Sequence, residues 1–162
     1  MRFSTPALVV ILLASQILLS CSSESGNNNV ANTADNSSNT AQVGPKDNIE
    51  EFGLLVRLPF VPEEVAWEEK PEQKKLTAVI RFSPENADKM TAEVQKNGQP
   101  TDDTLTVESW YPNELIAQGE LTGESMVKGK SFPAEPFLNP PYTKGKITRI
   151  ENTDYFILQI SS

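Results

Sequence analysis

Residues 76–98 read LTAVIRFSPENADKMTAEVQKNG, and the period of the apolar positions changes inside them. From Leu76 to Phe82 the period is two. Leu76, Ala78, Ile80 and Phe82 fall on one side of an extended chain, and Thr77, Val79 and Arg81 on the other, which is the pattern of a strand. At Ser83-Pro84-Glu85 the pattern turns helical. Ser83 suits an N-cap, Pro84 the first helical position, and Glu85 and Asp88 the positive end of the helix dipole. Met90 and Val94 lie one turn apart and are expected to face a sheet, and Gly98 supplies the stop. The spacing predicts one main helix over 83–97, fed directly by a strand.

Working outward, Glu64 to Glu68 alternates, with Val65 and Trp67 on one side, and Leu54 to Leu58 reads as a short strand stopped by Pro59 and Pro62. Beyond the helix, Gln99 to Asp103 reads as a loop, Leu105 and Val107 mark a strand, and Pro112 to Gln118 a short second helix (112–118) closed by Gly119. Leu121 to Lys130 is ambiguous, with glycines interrupting a strand pattern. Lys146 to Ile150, a turn at Glu151-Asn152-Thr153, and Tyr155 to Ile160 form a hairpin, with Phe156, Leu158 and Ile160 on one side of the last strand. Hairpin-linked strands with a helix between them predict an α+β fold. The expected form is a mainly antiparallel sheet of about five to seven strands, with the main helix packed on one face. A partly open small β-barrel with the helix as a plug is the alternative. There is no internal repeat.

The first residues have another character. MRFSTPALVVILLASQILLSC places Arg2 ahead of an apolar stretch from Ala7 to Leu19, with Ser15 and Gln16 inside it, and ends at Cys21, the only cysteine of the chain. A charged head and a short apolar middle are the layout of an export signal. The run is shorter than the ~20 apolar residues that a membrane span needs. Leu18-Leu19-Ser20-Cys21 resembles the lipobox of bacterial lipoproteins, and the likeness covers this segment alone. It implies a signal peptide over 1–20 that is removed, a thiol at Cys21 carrying a diacylglyceryl group, and an acylated new amino terminus, palmitate among the chains. One fatty chain gives reversible binding and two or more hold stably, so the membrane is the first expected partner, through Cys21. The resemblance places the protein in a bacterial cell envelope. Without an Asp after the cysteine, Ser22 points to the outer rather than the inner membrane if the organism is Gram-negative.

From Ser22 to Pro45 the chain has six asparagines and five serines, no aromatic residue, and only Val30 and Val43 as large aliphatics. Such a segment buries too little apolar surface to offset its ordering entropy, so 21–45 is expected to be a disordered tether. The 24 residues from Cys21 to Pro45 would span roughly 25–30 Å as a flexible coil. The rest, 46–162, is 117 residues long, enough for one domain with its own core. It holds 13 Lys and Arg against 20 Asp and Glu. An acidic domain without a basic patch argues against nucleic acid as a partner.

The chain has no histidine, and 46–162 has no cysteine. That excludes Ser-His-Asp and Cys-His nucleophilic sites and zinc or copper sites of ordinary type; no cofactor and no metal are expected. Ser125-Met126-Val127-Lys128 matches S-x-x-K, but Gly123 and Gly129 flank it where a helix is required. The same segment misses the phosphate-loop spacing by one residue. Asp102-Asp103 lacks the alternation and the glycine of a calcium loop. The carboxylate doublets Glu50-Glu51, Glu63-Glu64 and Glu68-Glu69 could hydrolyse a glycoside only as a converging pair. Otherwise they form a solvated acidic face.

The stretch with most character is SFPAEPFLNPPYTKG, residues 131–145. Prolines pre-set an extended chain and aromatics anchor recognition surfaces. Phe132, Phe137 and Tyr142 are therefore candidate partner-binding residues, or else they cover an open end of the core. Trp67 and Trp110 carry the same pair of readings. The reading preferred is a lipid-anchored, non-enzymatic envelope module that binds a protein, peptide or glycan. The alternative is a small carboxylate-dependent hydrolase of envelope polysaccharide. A structural lipoprotein without a ligand site is a third option. Catalysis is not expected, and no catalytic residue can be named.

Overall fold

In a computed structural model of the chain, residues 44–121 and 123–162 are described. The expected export signal, Cys21 and nearly all of the expected tether lie outside them. The helices are α1 (Ile49–Leu55), α2 (Pro84–Gln95) and α3 (Asn113–Leu121). The strands are β1 (Glu64–Lys70), β2 (Lys75–Arg81), β3 (Thr101–Thr106), β4 (Met126–Pro133), β5 (Lys144–Ile150) and β6 (Tyr155–Ser161).

The strands form one sheet in the order β1-β2-β6-β5-β4-β3. Every neighbouring pair is antiparallel. The sheet is open, and the helices lie on its faces, so the fold is α+β and not a barrel. The β5–β6 hairpin turns at Asn152, whose φ of 59° is tolerated because Asn suffers less than most residues in the left-handed region.

The strand-to-helix switch forms as its residues dictate. The Ser83 side chain accepts the Asn86 N–H, Pro84 opens α2, and Ala87, Met90 and Val94 are buried against the sheet. Three expectations do not hold. Gly119 does not close the second helix: it lies buried inside α3, which runs on to Leu121. Leu54 to Leu58 is not a strand: Leu54 and Leu55 end α1, and only Val56 makes an isolated bridge, to Leu138. The Asn48 side chain caps α1 by accepting the Glu51 N–H, and Glu50 and Glu51 fill its first turn. Those polar residues decide what a short apolar run cannot. Asp102 and Asp103 are not in a loop but in β3. They stand opposite Lys130 and Gly129, where cross-strand charge offsets their weak strand preference.

Two cores result. On the first face Trp67, Leu76, Ala78, Ile80, Phe156, Leu158 and Ile147 meet Phe52 of α1 and the buried side of α2. Phe82 and Phe156 pack edge to face at 5.5 Å, a geometry worth ~0.5–1.5 kcal/mol beyond burial. On the second face Val79, Leu105, Val127, Ile150, Tyr155 and Ile157 lie under Leu115 of α3 and Tyr111. The α3 backbone comes close to the sheet because residue 119 is glycine: a Cβ there would stand 3.0 Å from the Val107 side chain.

Candidate functional site

The three rings expected at a recognition surface face inward. Phe132 is 3% exposed, Phe137 8% and Tyr142 6%. All three join the first core, so the structure brings them together, but as packing rather than as a surface. Phe132 sits on β4 opposite Ile147. The Tyr142 hydroxyl donates to Glu69 at 2.6 Å. Burial first, and then the Glu69 carboxylate, push the Tyr142 pKa up. Trp67 is fully buried beside Phe52, and Trp110 is half-buried, its indole N–H donating to Glu108 at 3.0 Å.

The proline-rich stretch instead makes a bed for the segment that leads into the sheet. The Arg57 N–H donates to the Phe137 carbonyl at 2.7 Å, and the Asn139 N–H to the Leu55 carbonyl at 3.0 Å. The Asn139 side-chain amide adds a third bond, to the Leu54 carbonyl at 3.1 Å.

Two of the carboxylate doublets diverge, and a third is held on a cation. Neighbours along a strand point to opposite faces, and this separates Glu68 from Glu69 and Asp102 from Asp103. Glu69 holds Tyr142, whereas Glu68 lies 3.8 Å from Lys70. Glu63 and Glu64 share the Arg81 guanidinium. Among the described residues two carboxylates have shifted ionisation, Glu85 and Asp103, and both are shifted down. A general acid in glycoside hydrolysis needs the opposite shift. Ser125 to Lys128 runs into β4 and so lacks the helical turn that S-x-x-K chemistry needs. Among the described residues no group of three or more His, Cys, Asp or Glu could hold a metal ion.

What sequence reading did not find is a polar cluster across β3, β4 and β5 on the second face. Asp103 Oδ2 accepts from Ser131 Oγ at 2.6 Å and from Lys146 Nζ at 2.5 Å. Ser131 and Thr148 share a hydroxyl–hydroxyl bond of 2.5 Å, and both residues are buried, Thr148 completely. Burial works against the Asp103 charge, but the Lys146 ammonium and the Ser131 hydroxyl outweigh it and hold the carboxyl below its ordinary value. The downward shift makes the carboxylate a weaker base toward the serine, and the hydrogen bonds of the cluster tie β3, β4 and β5 together.

Two hollows flank this part of the sheet. One of 500 Å³ lies between α2 and the β5–β6 turn, lined by Thr91, Gln95, Lys130, Arg149, Asn152 and Asp154 among others. Its main cation is committed: Arg149 donates to Thr91 Oγ1 at 2.8 Å and pairs with Asp88 at 2.9 Å. Lys130 is paired with Asp102. The other, of 380 Å³, lies beside Asp103, Ser131 and Lys146. Both have the size of small-ligand clefts.

These features define an open, six-stranded antiparallel α+β domain with helices on both faces and no reactive constellation among the described residues. Compared with known proteins, the chain has no match: no family model, no curated protein and no solved structure matches it.

Proposed function

We propose that the chain is a bacterial envelope lipoprotein, anchored through acylated Cys21, whose domain is a non-enzymatic module binding an envelope protein, peptide or glycan. The observation that carries this reading is the position of the one cysteine, at the border between an apolar leader and an Asn- and Ser-rich segment. A soft nucleophile there emerges at the bilayer surface beside its lipid donor, and two or more acyl chains hold a water-soluble body in place. Among the described residues no helix is long and apolar enough to cross a membrane, which is compatible with an anchor supplied by lipid. Carboxylates that are turned apart or held on a cation, with a depressed Asp103, support a binding role over carboxylate-dependent hydrolysis. Ser22 in place of Asp favours the outer membrane in a cell that has two.

Cys21→Ala tests the anchor. Membrane retention and palmitate incorporation are both expected to vanish. Unchanged fractionation of the variant, or a mature amino terminus of unmodified mass, refutes the assignment.

A further inference from the structure

Leu54 and Val61 are 74% and 76% exposed, at the start of the domain. Between them, α1 and the uncharged run Leu58-Pro59-Phe60-Val61-Pro62 form the walls of an apolar groove of 210 Å³. Ile49, Phe52, Leu58, Phe60 and Val61 line it, with Arg57 as the one charged residue. The third strongly exposed large apolar side chain among the described residues, Leu121, ends α3 on the other face of the sheet. Val61 at the groove and Leu54 on α1 are the exposed apolar side chains available there for contact with lipid or with another macromolecule.

The path of the chain decides which. The segment that follows the tether meets the domain at this place: the Lys46 N–H and carbonyl bond to Trp67 at 2.7 and 2.8 Å. Lys46 Nζ reaches Glu51 of α1 at 2.5 Å and lies 4.4 Å from the centre of the Trp67 ring. If the anchor is reached through Lys46, the surface beside Lys46 is the part of the domain nearest along the chain to the bilayer. With Cys21 acylated, the 24 residues from Cys21 to Pro45 would hold the domain at an effective concentration of about millimolar at the bilayer, so that a contact too weak for a free protein is populated. Cations temper the acidic residues nearby, with Lys46 beside Glu51 and Arg81 beside Glu63 and Glu64.

We infer that α1 and the loop 58–62 rest on the lipid surface that holds the anchor, with Leu54 and Val61 entering the boundary between headgroups and acyl chains. This rests on the reading of Cys21 as acylated. Docking fixes the orientation of the domain: β1 lies toward the bilayer, and β3, at the far margin of the sheet, points away from it.

The test uses the full acylated chain reconstituted into phosphatidylcholine vesicles that carry a lipid-borne quencher. A second cysteine is introduced by Val61→Cys, Leu54→Cys or Leu121→Cys and labelled with an environment-sensitive dye; the Cys21 thiol is consumed by its lipid and does not react. The dye at 61 and 54 is expected to shift to the blue and to be quenched about threefold more than at 121, as for a side chain buried at the interface. Equal quenching at 61 and 121 on protein whose mass shows acylation overturns the docking and leaves the anchor standing. A blue shift at 61 without quenching means that a second copy or another protein covers the groove, and also overturns it. A mass without acyl chains removes the anchor, and the docking with it.

Discussion

The two faces of the sheet share one register and reach very different interiors. Beneath α1 and α2, Trp67, Phe52, Phe82, Phe156 and Met90 form a continuous apolar layer with almost no exposure. Beneath α3, which has nine residues to the twelve of α2, the apolar cluster is smaller. The same face carries Thr148, Ser131 and Asp103, which satisfy one another. The difference teaches that a sheet needs apolar rows only where a helix can cover them. Where cover ends, a self-satisfied polar group keeps the strands in register without leaving an orphaned donor.

The largest test of that contrast is on the first face. Phe156→Ala is expected to cost about 3–5 kcal/mol in urea unfolding, the range for deleting a fully buried aromatic; a loss under about 1 kcal/mol would mean that the first face is not the main store of stability. On the second face, Asp103→Ala should cost about 1–3 kcal/mol, because Ser131 and Lys146 lose their acceptor. Its dependence on acid sharpens the comparison further. The ordinary value for Asp103 is 3.8 and the folded value lies below it, so its contribution is complete above about pH 4 and fades as the pH falls through the folded value. The stability gap between the native chain and Asp103→Asn should narrow in that window, while the Phe156→Ala gap should not. The smallest effect belongs to Leu121→Ser at the exposed end of α3, which should stay within about 0.5 kcal/mol. A larger loss would show that the second core extends further than its buried members indicate.

Much of the first face was legible in the sequence. The strand at 76–82, the cap at Ser83 and the Met90–Val94 spacing are local signals, and local signals are what periodicity reads. The last hairpin was equally plain. The helix at 49–55 was not, because its cap lies outside the apolar run that looked like a strand. The Asp103 cluster was out of reach for a different reason. Its members come from three strands and span 45 positions, and only the register of β3, β4 and β5 brings them to one point. The aromatics of 131–145 drew attention by composition, but composition does not say which way a ring turns. Their burial follows from the alternation of β4 and from the bonds that lay Leu54–Arg57 over Phe137–Asn139.

The bridge between Lys46 and Trp67 has a mechanical side. A pull on the chain ahead of Gly44 falls on two backbone hydrogen bonds to Trp67 of β1 at the margin of the sheet, and on α1, whose Phe52 sits in the first core. The point where the chain enters is thus mechanically coupled, through Phe52, to the layer that gives the fold its strength.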